Sequence, residues 1–153
     1  TDPQRHRDET METQELHRGR LIDHVQLVVR DLPASRRFYE AVFDVLDVPL
    51  GGTLDDGAFW YDELFISTAD SEAAQGELTG RHHLAFQAKD RAAVDAFHKA
   101  ALSAGGRDNG KPGERPYHPG YYAAFVLDPD GNNIEAVYHG EHKRSAPSVK
   151  VTF

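Results

Sequence analysis

The sequence predicts an α+β fold built from one module used twice, and three observations carry that expectation. The first is repetition: His83-Leu84-Ala85-Phe86-Gln87-Ala88-Lys89-Asp90 follows the plan of His24-Val25-Gln26-Leu27-Val28-Val29-Arg30-Asp31, at an offset of 59 residues that also pairs Phe38 with Phe97. A fixed internal offset reports architecture ahead of local propensity. The second is a change of period, since each copy opens on an alternating strand, ends that strand in an Asp, and continues at helical spacing. The third is the set of short aromatic and β-branched runs, separated by turn sequences, that closes each copy. Two copies make a duplicated module, not a solenoid.

Taken in order, residues 1–20 are polar or charged, with Met11 and Leu16 the only large apolar side chains, so they are expected as an extension that cannot order itself alone. The single domain is expected over 21–139, with module one at 21–70 and module two at 81–139. In Leu21 to Arg30, Val25, Leu27 and Val29 share the face that should meet a helix, and Ile22, His24, Gln26 and Val28 take the other. Asp31 and Pro33 signal a helix start, and Phe38, Tyr39, Val42, Phe43 and Leu46 recur on its apolar face. Gly51-Gly52 and Asp55-Asp56-Gly57 read as turns around three further strands, which include Ala58-Phe59-Trp60-Tyr61 and Leu64-Phe65-Ile66-Ser67. Ala69 to Gly80 reads as a linker. In the second copy Leu84, Phe86 and Ala88 face the helix marked by Val94, Phe97, Ala101 and Leu102, which Gly105-Gly106 ends. Arg107 to Gly120 is expected as a Gly- and Pro-rich loop. Tyr121 to Leu127 and Asn133 to Tyr138 are expected as strands joined by the turn Asp128-Pro129-Asp130-Gly131. Residues 140–153 form a tail that is basic and then apolar, suited to an added edge strand or a contact with a partner subunit.

Composition narrows the function. At 153 residues and 39% apolar the chain suits one packed domain. A formal charge of −8 argues against nucleic-acid and anionic-membrane partners. No run approaches the roughly 18 apolar residues of a membrane span, and residues 1–20 have no apolar core of the signal-peptide kind, so a cytoplasmic location is expected. With no cysteine, any metal must be held by nitrogen and oxygen.

The strand faces turned away from the helices carry His24, Gln26, His83 and Gln87, and Glu135 alternates against Ile134 and Ala136 in the last strand. Two imidazoles and a carboxylate are ligand types of an open divalent-metal site compatible with iron, zinc, manganese or nickel, and Gln26 and Gln87 are placed to orient ligands or substrate. A lone strand histidine is more often hydrogen-bonded or exposed than a ligand, but recurrence at the same module position raises both histidines above that reading. Glu135 alone would be read as a solvated carboxylate, and Trp60, Phe59 and Tyr61 as core or pocket wall.

At these residues the chain resembles the vicinal oxygen chelate superfamily, which includes glyoxalase I, fosfomycin-resistance proteins, extradiol ring-cleaving dioxygenases and the metal-free bleomycin-resistance proteins. The resemblance rests on the paired βαβββ plan, on the two module-opening histidines, and on Glu135 in Asp-Pro-Asp-Gly-Asn-Asn-Ile-Glu. It implies two modules forming an eight-stranded open cup with helices outside, one divalent metal held by His24, His83 and Glu135, and a homodimer. Glyoxalase I carries a further carboxylate ligand in the last strand of its first module. Aligning the hairpins through Leu64 and Ile134 sets Phe65 at that place here, with Glu63 nearby.

The reading is therefore a metal-dependent enzyme, glyoxalase-like or dioxygenase-like, acting on a small substrate that chelates the ion through oxygens. Tyr122 and His118 are the candidates for proton transfer, and Gln26, Gln87, Trp60, Phe65 and Tyr121 for substrate contact. The alternative is a metal-free protein that sequesters an aromatic or antibiotic ligand on its aromatic side chains.

Overall fold

The computed structural model describes residues 15–153, so the expectation for 1–14 lies outside the described residues. Its elements run β1 (Glu15–Arg18), β2 (Val25–Val28), α1 (Leu32–Val45), β3 (Gly52–Thr53), β4 (Phe59–Tyr61), β5 (Leu64–Ser67), a 3-10 turn (Glu72–Ala74), β6 (His83–Gln87), α2 (Arg91–Ser103), β7 (Arg107–Glu114), β8 (Tyr122–Leu127), β9 (Asn133–Tyr138) and β10 (Val149–Thr152).

Both helices start for the same reason. Asp31 accepts a hydrogen bond from the Ala34 N–H at 3.0 Å, and Asp90 accepts one from Ala93 at 2.7 Å. Each such cap is worth about 1 kcal/mol. The repeated strand-ending Asp is thus a repeated N-cap. Behind the caps, Phe38, Tyr39, Val42 and Phe43 of α1 and Val94, Phe97 and Ala101 of α2 are buried.

Each module forms its own four-stranded sheet, in the order β2-β5-β4-β3 and β6-β9-β8-β7, with the opening strand parallel to the last one. The two βαβββ modules supply the eight strands of the expected open fold as two four-stranded sheets with no ladder between them. They share a single core instead. Leu27, Phe59 and Ile66 of the first sheet and Ala124, Ile134 and Ala136 of the second belong to the same buried cluster as both helices. Phe43 of α1 contacts Phe86 of β6, ring centroids 4.8 Å apart. One face of each sheet meets this core, and the other is turned away from it.

One expectation is corrected, and another gains a partner. The first part of the expected loop, Arg107 to Glu114, is strand β7, because an edge strand tolerates Gly110, Pro112 and Gly113 where an inner strand would not. Its pairing with β8 shifts register on both sides of Gly110, and the loop begins only after Glu114. The expected polar extension contains β1, which finds its partner in β10 of the C-terminal tail, with Leu16 opposite Val151. Strand formation there needs a pairing 131 or more residues away, which local composition does not reveal; the contact of His17 with Ser148 spans that separation. Among the described residues no helix is long and apolar enough to cross a membrane.

A second tie between the modules is polar. The Asp128 carboxylate, 3% exposed, accepts the Tyr39 O–H at 2.5 Å. Tyr39→Phe keeps the ring and removes that donor, and hydrogen bonds to charged groups contribute about 1.5–3 kcal/mol. Urea unfolding of this variant is expected to show a loss of that order with an unchanged denaturant slope; wild-type stability would show that the bond contributes nothing.

Candidate functional site

The second sheet's outer face carries the most connected polar group. Cross-strand register sets Ala85, Glu135 and Phe125 in one row across β6, β9 and β8. Glu135 is only 2% exposed although its face is open, so its charge requires partners. It has two. His83 Nε2 stands 3.0 Å from Oε1, and the Tyr121 hydroxyl donates to Oε2 in a short hydrogen bond. Ala85, small and exposed, leaves the space across which the His83 ring reaches Glu135.

The tautomer of His83 follows from its other contact. Nδ1 is 2.9 Å from the Asn133 carbonyl, which can only accept, so Nδ1 carries a proton. Nε2 is then the nitrogen turned to Glu135 and able to bind an electrophile, and a backbone-anchored Nδ1–H is the usual orienting bond of a histidine ligand. The ring also stacks on Phe125, centroids 6.0 Å apart.

Tyr121 closes the group on the other side. Burial first, and then the hydrogen bond to Glu135 and its negative charge, push the phenol well above its ordinary range, against a smaller opposing pull from Arg115. His118 and His139 stand beside it, with ring centroids each 5.3 Å from that of Tyr121. His118 Nδ1 donates to the Pro119 carbonyl at 2.9 Å, so its Nε2 accepts from His139 Nδ1 at 2.8 Å. The outward nitrogen of that pair is His139 Nε2.

The remaining sequence candidates lie elsewhere. Tyr122 alternates with Tyr121 and points the other way, donating to Asp95 of α2 at 2.7 Å with Arg91 over its ring. His24 hydrogen-bonds Asp23 at 2.7 Å and is widely exposed. Gln26 donates to Ser67 of β5 and to Ser71 just beyond it. Gln87 is exposed on the second sheet. Trp60 and Phe65 stack at 6.3 Å, and the indole lies so close on Gly51-Gly52 that a Cβ at Gly52 would sit 2.4 Å from it. The ladder pairs Gln26 with Phe65 as it pairs Ala85 with Glu135, so Phe65 holds the place in the first module that Glu135 holds in the second. Sequence reasoning missed His139; its place one residue past the end of β9 was the available signal.

Among the described residues no group of three or more His, Asp or Glu side chains is gathered to hold a metal. His83 and Glu135 have the donor chemistry and the anchoring for two ligands. The third proposed ligand, His24, does not join them within one chain.

Residues 21–136 match the Glyoxalase/Bleomycin resistance protein/Dioxygenase superfamily, and the chain belongs to that superfamily. A protein of Bacillus subtilis named as uncharacterized, YqjT, is 31% identical over 126 residues, covering 74% of this chain and 95% of its own length. A crystal structure of a glyoxalase/bleomycin resistance protein from Albidiferax ferrireducens is 30% identical, with a TM-score of 0.66 over 76% of this chain and 98% of that one. A lactoylglutathione lyase from Agrobacterium tumefaciens, 21% identical with a TM-score of 0.54 over 77% and 92% of the two chains, shares the fold.

The arrangement around Tyr121 has a spectroscopic consequence. Its anion would lie against the Glu135 carboxylate, so the neutral phenol is retained as pH rises through the ordinary tyrosine range. Titration of tyrosinate absorbance should superimpose for wild type and Tyr121→Phe through that range. A tyrosine's worth of amplitude missing from the variant there would show that Tyr121 does not face Glu135.

Proposed function

We propose that this protein is a metal-dependent vicinal oxygen chelate enzyme acting on a small substrate, and that its site combines His83 and Glu135 of one chain with His24 of a second copy. The observation that supports it best is the buried carboxylate of Glu135 facing a histidine whose Nδ1–H is fixed on a backbone carbonyl, so that Nε2 is the reactive nitrogen. The two-chain arrangement is supported by the sheets. His24 immediately precedes β2 and His83 opens β6, in separate sheets whose outer faces turn away from the shared core, and Ala85 and Gln87 on the second sheet are exposed. A homodimer that sets the outer face of one chain's first sheet against the second sheet of its partner completes both sites by the same symmetric contact.

The metal would be a divalent ion held by those three side chains, supplying Lewis-acid polarisation of substrate oxygens. The chain's own groups do the rest. The Asn133 carbonyl fixes the His83 ring through its Nδ1–H, Tyr121 holds the far carboxylate oxygen of Glu135, and the His118–His139 pair connects the rim of the site to solvent through hydrogen-bonded imidazoles. Trp60 and Phe65, on the face that the partner chain presents, offer a surface for an apolar part of the substrate.

That aromatic pair also supports the rival reading, a metal-free protein that sequesters an aromatic ligand. Mixing separates the two. His24→Ala and Glu135→Gln, each alone, are expected to lose tight manganese binding. After unfolding and refolding together, random pairing would return about a quarter of the sites, one in each mixed dimer. Manganese binding by either single variant at the wild-type level contradicts the ligand set, and failure of the mixture to recover binding contradicts its division between two chains.

A further inference from the structure

Arg115 follows β7 and holds its guanidinium over the Phe125 ring, 5.4 Å from the centroid. Phe125 is the register partner of Glu135 and stacks with His83, so the cation shares the outer face of the second sheet with the His83–Glu135 pair. The position is constructed. Nη2 donates to the Lys111 carbonyl at 2.7 Å and Nη1 to that of Glu114 at 3.3 Å, while the Arg115 N–H donates to the Tyr121 carbonyl at 2.9 Å. The neighbouring strand makes room. A Cβ at Gly113 would stand 3.1 Å from Nη1, and one at Gly110, whose φ is +155°, would stand 3.0 Å from the Phe125 ring and 3.4 Å from Nη2. The glycines that interrupt the β7 ladder are thus the residues that let the guanidinium lie flat beside it.

What the guanidinium lacks is an anion. Arg91 pairs with Glu114 at 2.6 Å and Arg36 with Glu40 at 3.5 Å, but among the described residues no carboxylate stands within ion-pair distance of Arg115, although acidic residues outnumber Lys and Arg by 25 to 17. Arg115 is half-buried, and among the described residues its side chain donates to the Lys111 and Glu114 carbonyls and to no other protein group. A planar fork, fixed by two carbonyls and an aromatic face and short of its counter-charge, is suited to a bidentate oxyanion.

We propose that Arg115 binds an oxyanion of the substrate, a carboxylate or a phosphate, and lays the molecule across Phe125 toward His83 and Glu135. The substrate is then a small anion, not a neutral ketone, aldehyde or catechol. The assignment of the reacting end rests on the His83–Glu135 reading above; the anion contact itself stands on Arg115. Opposing charge from buried Glu135 favours an anionic group held on the Arg115 side of the phenyl ring, with the uncharged oxygens nearest the pair.

The test uses the full chain freed of metal with chelator, followed by NMR of the arginine Nε–Hε and backbone amide resonances. Malonate, inorganic phosphate and neutral malonamide are the probes. Malonate or phosphate should shift the Arg115 resonance saturably, whereas malonamide should not. Arg115→Met should weaken anion affinity at least about tenfold, a difference of about 1.4 kcal/mol, and Arg115→Lys should retain part of it because the charge stays while the fork is lost. Tighter binding of malonate assigns a carboxylate substrate, and tighter binding of phosphate assigns a phosphate. Equal affinity in Arg115→Met and wild type, with unfolding midpoints matched, would overturn the proposal, as would the absence of saturable binding of either anion. Manganese binding, measured separately on the same proteins, decides the metal reading alone. Anion binding at Arg115 without manganese uptake removes only the metal, and manganese uptake with anion affinity unchanged in Arg115→Met removes only the arginine.

Discussion

The candidate site depends on one buried carboxylate outside it. Asp128 is placed where ionised oxygen must be fully paired, and four donors meet it. Oδ1 accepts the backbone N–H groups of Asp130 at 3.0 Å and Asn132 at 2.8 Å; Oδ2 accepts the Tyr39 hydroxyl at 2.5 Å and the Asn132 side-chain amide at 2.9 Å. The consequence spreads from there. Asn132, fixed by Asp128, accepts the His82 N–H at 2.8 Å, and the Asn133 N–H is bonded to the His82 carbonyl at 2.8 Å. These bonds set the opening of β6 against β9 and place His83 opposite Asn133, the residue whose carbonyl fixes its tautomer. A tyrosine of the first module thereby helps determine where the His83 ring of the second one points.

Duplication followed by divergence explains the difference between the two outer faces. The ladders are equivalent, yet one carries Glu135 where the other carries Phe65. The second sheet became a polar centre in which buried charge is satisfied by His83 and Tyr121. The first became an aromatic surface, with Trp60 seated against glycine backbone and stacked on Phe65. A cup that brought one face of each kind together would offer a substrate both reactive groups and apolar contact.

Much of this was legible in the sequence because it depends on local pattern. The repeated Asp announced two N-caps, the period change announced strand and helix, and the alternation around Glu135 placed it on the face opposite Ile134 and Ala136, which are buried in the core. What escaped depends on distant partners. The β1–β10 ribbon joins the two ends of the described chain, β7 is a strand despite its glycines because β8 pairs with it, and Tyr121 and Tyr122 divide between opposite faces at the start of a strand that was expected from Tyr121 and begins at Tyr122. The role of Asp128 was hidden for the same reason. Asp128-Pro129-Asp130-Gly131 read as a turn, and only the fold brings Tyr39 to it.

The central claim is that His83 and Glu135 form the metal-holding half of the site, and the metal content of protein purified without chelator or added metal, compared between wild type and His83→Ala by inductively coupled plasma mass spectrometry, tests it most directly. Near-stoichiometric iron, zinc, manganese or nickel in the wild type that is lost in the variant is the predicted result. Equal metal in the two proteins, or none in either after incubation with each ion, would contradict the claim and leave the aromatic surface of the first sheet as the functional one.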